Sequence, residues 1–403
     1  MTQGDGRVIA PRCTATTHGA IAEIEAEGWD LCAGSADPLL WHRHLSALED
    51  SGVAAPGNGF TPRHVVLRDA DDRIVGAAPA YLKTHSRGEL GVDIGLMMAH
   101  QRQSGAYFPK LQVEVPMIPF AGPRLLVRPD VDRAEVTAAL AAALVDEARR
   151  AGASSVQVAQ IASQAEAEAL AAQGFVLAES NTYRWRPGTD RTYEDILMRM
   201  IASRRTEIRR ERRRVAETGL TFHVLRDQTV PPDLSRRFYP LYTENFVRHG
   251  NEPWLPERYF AEVMRQMPEA IEIGLALQGE HWAGVLFGMG GSTGRHVMYW
   301  GQGEAIRFLH FELVYYREIE RALVTGLDWL DFAGIGAHKA LKGLQMEPVW
   351  TAFWFRAPEF AAVAAAAAQS KTAAAIAERA QMQALSPFRP APVPDVPSSS
   401  TKG

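Results

Sequence analysis

One arrangement of strand, strand, helix and strand is written twice in this chain, and an internal repeat constrains a fold more than local propensity can. From His64 to Pro79, HVVLRDADDRIVGAAP reads as a strand, an Asp-rich turn and a second strand that turns at Gly76. From Ile273 to Phe287, IGLALQGEHWAGVLF has the same layout, with Gly284 in the place of Gly76. Each hairpin leads to a helix and another strand. In the first copy Val136 to Arg150 is an apolar-periodic helix closed by Gly152, followed by a strand from Ser155. In the second, Phe308 to Leu323 is the helix, Gly326 closes it, and Leu327 to Phe332 is the strand. Between Gly76 and Val136 the first copy carries an insertion rich in proline and glycine, expected to be a long loop lining a cleft. The repeat predicts two α/β layers side by side, with a binding groove between them or at splayed strand ends.

A chain of 403 residues exceeds what one hydrophobic core serves well, in keeping with two domains. The boundary is expected near Pro187 to Asp190, giving a flexible N-terminus (1–20), two domains (21–188 and 189–358), an Ala-rich terminal helix (359–385) and a disordered tail (386–403). A net charge of −4 excludes a uniformly basic nucleic-acid coat but leaves room for a local basic patch. Two cysteines, Cys13 and Cys32, exclude a disulfide scaffold and cannot form a zinc site alone. The N-terminus has no apolar signal region, and no run is read as reaching the roughly 18–20 apolar residues of a membrane span. The Ala-rich stretch from Phe360 to Ala368 is too short to span, so the chain reads as cytoplasmic.

The densest charge run is Ser203 to Val215, SRRTEIRRERRRV, closed by Gly219. Glu207 and Glu211 lie four apart among Arg204, Arg205, Arg209, Arg210, Arg212, Arg213 and Arg214, which suits an exposed helix laced with ion pairs. The positive charge exceeds what two glutamates neutralise. An anion-binding face therefore stands beside that reading, since guanidinium forks chelate phosphate, whether of tRNA, a coenzyme or a nucleotide-sugar.

Further on, Tyr299 and Trp300 precede the helix that carries His310, Glu312, Tyr315 and Tyr316. His310 and Glu312, two apart, cannot face the same way on an α-helix, whereas Glu312 and Tyr316, four apart, can. His310 is either a satisfied histidine at a helix start or a proton carrier, and the two tyrosines suit core or rim positions better than acid catalysis. From Asp331 to Leu344 a strand end breaks into a glycine-rich loop with His338, Lys339 and Lys342 at its mouth. Gly334, Gly336 and Gly343 would let backbone N–H groups approach a substrate oxygen or phosphate, the alternative being a solvated loop. The absence of P-loop, nucleophile-elbow and His-Glu-x-x-His patterns excludes the commonest NTPase, hydrolase and zinc-protease readings.

The stretch from Trp41 to Trp350 resembles the FemAB-like N-acyltransferases of the GNAT acetyltransferase superfamily. The segments that carry the resemblance are Tyr81 to Glu89, Tyr107 to Lys110, Pro119 to Arg124, Arg204 to Val215, Leu309 to Tyr316, and His338-Lys339. The resemblance implies two tandem GNAT-like α/β domains, each a mixed sheet flanked by helices, and amide formation on a small-molecule or peptide amine. The related Fem peptidyltransferases draw on aminoacyl-tRNA, so tRNA is the implied partner and aminoacyl-tRNA the implied co-substrate, with no bound cofactor and no metal. Acyl-CoA is the alternative donor, although no Arg/Gln-x-x-Gly-x-Gly/Ala turn precedes Phe308. This chain departs from the group at Ala337, usually acidic, and at Lys342, usually arginine, so its acceptor is expected to differ. The candidate catalytic residues are Lys339 and His338, with Glu312, Tyr316 and His310 for proton handling. Candidate substrate or donor contacts are Arg204, Arg205, Arg209, Lys342, Trp300, Tyr107, Lys110 and Lys83. A non-catalytic RNA-binding protein on a degenerate acyltransferase fold is the reading of another class.

Overall fold

The computed structural model describes residues 13–88, 93–231, 233–334 and 336–389. Among these, nine strands precede Pro187: β1 (Thr14–His18), β2 (Phe60–Pro62), β3 (His64–Arg68), β4 (Ile74–Ala78), β5 (Ala80–Lys83), β6 (Lys110–Val113), β7 (Leu126–Val127), β8 (Ser155–Ile161) and β9 (Val176–Trp185). Six follow it: β10 (Thr221–Arg226), β11 (Ile271–Gln278), β12 (His281–Gly290), β13 (Gly294–Gln302), β14 (Trp329–Asp331) and β15 (Gln345–Phe355).

Both hairpins of the repeat form, but β13 intervenes in the second copy before its helix, and in the first copy the hairpin lies in a different sheet from β8. β3 and β4 form an antiparallel hairpin, as do β11 and β12. The helix Arg133–Arg150, started by Asp132 accepting from the Glu135 amide at 3.0 Å, leads to β8. The helix spanning 309–325, closed by Gly326 in the left-handed region (φ 70), leads to β14. The equivalent glycines explain why the repeat is visible at all. A Cβ on Gly76 would lie 2.6 Å from Val136 Cγ1, and one on Gly284 3.1 Å from Leu309 Cδ2, so each lets a crossover helix lie close against its sheet.

The strands make a four-stranded sheet, β1-β3-β4-β7, and an eleven-stranded sheet in the order β10-β11-β12-β13-β14-β9-β15-β8-β6-β5-β2. The larger sheet is α/β in character, helices covering it, and it runs across the Pro187–Asp190 connection. β15, the last strand, is antiparallel to both β9 and β8 and lies between them, so a strand from the second half completes the first.

Three features depart from the sequence-based expectation. The N-terminus expected to be flexible to residue 20 already pairs at Thr14, where β1 runs antiparallel to β3, while 1–12 lie outside the described residues. The insertion expected to be a long loop contains β5, the helix Ile94–Gln103 and β6; β6 lies parallel to β8 and antiparallel to β5. Residues 89–92 of that insertion lie outside the described set, as do 390–403 of the expected disordered tail. The tail's first residues are placed: Phe388 bridges Met200, and the Ile201 amide donates to Pro387 O at 2.8 Å.

The terminal helix Ala361–Ala384 buries Ala364, Ala368 and Ala375 along one face. It is tied to β9 by the Glu179 amide donating to Thr372 Oγ1 (3.0 Å) and by Asn181 Nδ2 donating to Ala375 O (2.9 Å). Within Pro358–Ala384 one 18-residue window has a mean hydropathy of 1.2, which by length and composition alone makes this helix a candidate span.

Candidate active site

β13 and β14 run parallel for only three residue pairs, Gly294 with Trp329 through His296 with Asp331. β13 continues to Gln302 beside β12 while β14 stops at Asp331, so a gap opens between them. The first half has a corresponding parallel pair, β6 and β8, but its opening is filled. There the buried Arg124 guanidinium donates to Phe120 O (2.5 Å), Ala159 O (2.7 Å) and Pro123 O (3.0 Å), leaving a cavity of about 10 Å³. In the second half the exposed His338 stands near the end of β14, beside the β13–β14 splay.

Into that splay project side chains from two elements. The helix 309–325 begins after Phe308, a left-handed residue (φ 68), and from Glu312 to Tyr316 it widens into a π-turn before resuming as an α-helix at Arg317. Such a turn adds a residue, and residues five apart then come into line. His310 and Tyr315, five apart, accordingly meet edge to face at 5.4 Å between ring centroids. The second element is the short helix His338–Leu341, which brings His338 Nε2 to 3.0 Å from the Tyr315 hydroxyl. Trp300 closes the group, with its ring 5.3 Å from His310.

Lys339 lies beneath His338. Its Nζ donates to Phe332 O (2.5 Å) and Ala333 O (3.3 Å), and the amine sits 5.6 Å from the Tyr183 ring centroid. Burial pulls its pKa down to about 8, against the opposing pull of Asp331. Burial, reinforced by the charges of His338 and Lys339, holds His310 at about 4. His338 is lowered by burial and by the charges of Lys339 and Lys342. Both imidazoles are therefore neutral at pH 7, beside an amine that can gain or lose its proton near physiological pH.

The remaining expected residues are distributed otherwise than their spacing suggests. Glu312 and Tyr316 do not form a proton-handling pair. Glu312 takes Arg212 (3.2 Å) and Arg317 (3.0 Å), while the Tyr316 hydroxyl donates to Glu211. Lys342 does not reach solvent: it is 5% exposed and gives Nζ to both Glu211 oxygens, at 2.7 and 2.9 Å. Lys83, Tyr107 and Lys110 are buried in the first half. Lys83 pairs with Glu114 (3.0 Å), and Lys110 and Tyr107 both donate to Asp93 (2.6 and 3.0 Å). Tyr315, which the sequence assigns to core or rim, is the tyrosine that meets His338; an irregular helix turn leaves no mark in the sequence that α-helical spacing can read.

The arginine run is one helix, Ala202–Ala216, buried through Ile208, Glu211 and Val215. Four of its arginines are matched to carboxylates: Arg204 to Glu207, Arg209 to Glu194, Arg212 to Glu312 and Glu320, and Arg214 to Glu217. Among the described residues Arg205 donates to Met200 O (3.4 Å) and to no carboxylate. Among the described residues Arg210 and Arg213 are exposed without a carboxylate partner, as is Arg307. Arg210, Arg214 and Arg307 line one cleft of about 520 Å³ with Glu217, Thr218, Ile306 and Phe308. From it a row of rings leads toward Lys339: Phe308 to Phe311 (6.4 Å), then Phe311 to His338 (6.2 Å).

The FemAB-like family model, described by peptidoglycan biosynthesis and recognition, matches residues 20–390. The chain belongs to the FemAB-like family. No curated protein matches it. Among solved structures FemX superposes with a TM-score of 0.55 at 13% identity, over 85% of this chain and 98% of FemX. The C-terminal domain of a putative lysylphosphatidylglycerol synthetase from Agrobacterium fabrum gives 0.53 at 13% identity, over 87% and 97%. A tandem GNAT protein from the clavulanic acid biosynthesis pathway gives 0.43 at 15% identity, over 86% and 99%. At these identities the FemX and synthetase likenesses establish a common fold. This FemAB-like chain has the mixed α/β architecture expected, sheets flanked by helices, and among its described residues no group of three or more His, Cys, Asp or Glu side chains could hold a metal ion.

Proposed function

We propose that this protein is an N-acyltransferase that forms an amide on an amine acceptor, with aminoacyl-tRNA as the donor. One observation carries the reading: a cleft lined by Arg210 and Arg307, which hold no carboxylate among the described residues, beside the Arg214–Glu217 pair, connects through Phe308 and Phe311 to His338 and the adjoining buried lysine of lowered pKa. Arg210 and Arg307, without internal counter-charges, suit a phosphate-bearing donor, because a phosphate can bind them without breaking an existing ion pair.

In the reaction the acceptor nitrogen attacks the donor's ester carbonyl. A C–N bond forms, the C–O bond to the terminal ribose breaks, and one proton passes from the amine to the leaving oxygen. The Lys339 ammonium stabilises the oxyanion of the tetrahedral intermediate. His338, neutral and hydrogen-bonded to Tyr315, accepts the amine proton and returns it to the ribose oxygen. His310, buried among aromatic rings, orients Tyr315.

The test compares binding and turnover of charged tRNA, uncharged tRNA and acetyl-CoA at near-physiological salt. Preference for charged tRNA with transfer to an amine supports the reading. Saturable acetyl-CoA binding with indifference to tRNA replaces the donor, and salt-sensitive RNA binding without any turnover replaces the enzyme.

A further inference from the structure

Two glycines flank Lys339 in the chain, and each is in close contact with something the C-terminal segment holds. At Gly334 a Cβ would lie 2.9 Å from Asn181 O. The Asn181 side chain is gripped by the terminal helix, donating to Ala375 O and Glu378 (2.9 Å each) and accepting from Arg379 (2.7 Å). At Gly343 (φ 92) a Cβ would lie 3.1 Å from Phe388 Cζ and 3.2 Å from Met200 Cε.

Phe388 is itself fixed on several sides. Arg199 covers its ring at 4.7 Å, its backbone bridges Met200, and the following Arg389 amide donates to Arg199 O at 3.0 Å. Pro387 O accepts from the Ile201 amide at 2.8 Å, and Ile201 is the residue from which the arginine helix starts, without a side-chain cap of its own. The same short segment therefore touches the start of the arginine helix and the turn after Lys339. That turn has little slack: Leu344 N donates to Lys339 O at 3.2 Å, and the ammonium is anchored on Phe332 O.

We propose that the terminal helix and residues 386–389 brace the turn that carries His338 and Lys339, with Phe388 as the positioning residue. This rests on Lys339 acting as the cation of the proposed transfer. Phe388 touches no reacting atom. It fills the space beside Gly343 that a side chain there would occupy, and so sets where the turn can lie. Without the ring, the turn gains room to move outward and Lys339 gains water. The charged or titratable groups around that amine are Asp331 on β14, Tyr183 on β9, His338 on its own turn, and His310 on the facing helix.

The experiment uses the full-length chain carrying Phe388→Ala or Phe388→Leu. It reads hydrogen exchange of amides 336–344, and the pH–rate profile with charged tRNA as donor. In Phe388→Ala these amides should exchange about tenfold faster or more. The alkaline limb belonging to Lys339 should move from about 8 toward the free-lysine value of 10.5, with kcat lower and the donor KM unchanged within about twofold. Phe388→Leu, which retains apolar bulk and keeps the test readable should alanine impair folding, should fall between wild type and alanine. Unchanged exchange and an unmoved limb overturn the proposal. A raised donor KM with an unmoved limb also overturns it, assigning the segment to the arginine helix alone. If the wild type turns over no donor, the transferase reading fails while the exchange measurement still decides the brace.

Discussion

Glu211 turns away from the seven arginines of its helix and receives Lys342 Nζ at 2.7 and 2.9 Å on its two oxygens, with the Tyr316 hydroxyl on the same carboxylate. Glu211 is 2% exposed and Lys342 5%. A helix that reads as a solvated charge run is thereby pinned from below to the turn carrying Lys339. The outward arginines are left to act on solvent or on a ligand.

Breaking that pair from one side should be costly. Lys342→Met leaves the Glu211 carboxylate buried without a counter-charge, and a loss of about 3–5 kcal/mol is expected. Pairing it with Glu211→Gln removes the charge left behind, so the double variant should recover part of the loss. Denaturant melts of the two variants and wild type measure this. A Lys342→Met variant of unchanged stability with weakened donor binding would restore Lys342 as a ligand.

The cleft arginines should behave in the opposite way. Arg210 and Arg307 are exposed and hold no carboxylate among the described residues, so Arg210→Ala with Arg307→Ala should leave stability within about 0.5 kcal/mol. If each meets one phosphate, donor KM should rise by about tenfold or more, and the salt dependence of binding should flatten by about one to two units of slope. Filter binding across a salt series reads both. A steep slope retained in the double variant would move the donor elsewhere.

As the proposed proton carrier, His338 should set the acid side of the pH profile. Burial and the neighbouring Lys339 and Lys342 charges hold its pKa below the ordinary 6.5, so activity should be lost only as pH falls below that value. His338→Gln should remove this limb and lower kcat by about 10²-fold or more, and Tyr315→Phe should lower kcat with little change in donor KM. Full activity in His338→Gln would leave proton transfer to the substrates or to water.

The parts of the fold legible in the sequence are those written locally. The paired hairpins, their crossover helices and the glycines at 76, 284 and 326 each follow from patterns a few residues long. What stayed hidden is non-local. Nothing near Gln345 announces that β15 will lie between β8 and β9, because that pairing depends on two strands more than 150 residues upstream. The π-turn is hidden for another reason: Glu312 and Tyr316 have α-helical spacing, and only the packed structure sends one to Arg212 and the other to Glu211. Charge was legible as an arginine excess, but its direction was not. Spacing could not show that Glu211 points inward, or that Lys83 and Lys110 are consumed by buried carboxylates. His338 and Lys339 stood out because they follow a strand end and a glycine-rich turn, while Tyr315 became visible only through its contact with His338.

In the proposed transfer Lys339 should link activity and stability with opposite signs. Its folded pKa, about 8, lies below the ordinary lysine value of 10.5, so the folded state holds the proton less tightly than the unfolded chain does. The resulting cost of burying the charge is full below pH 8, declines between 8 and 10.5, and is gone above; it is on the order of 3 kcal/mol. Lys339→Met should therefore raise the thermal midpoint at pH 7, and this gain should shrink as the pH of the melt is raised through that window. Activity should change the other way. As an oxyanion cation Lys339 works only when protonated, so the wild-type rate should fall as pH rises through about 8, and Lys339→Met should lose about 10²-fold or more in kcat. A variant both more stable and nearly inactive is the signature of a charge kept buried for chemistry. One less stable and still active would make Lys339 a structural hydrogen-bond donor to Phe332 and Ala333.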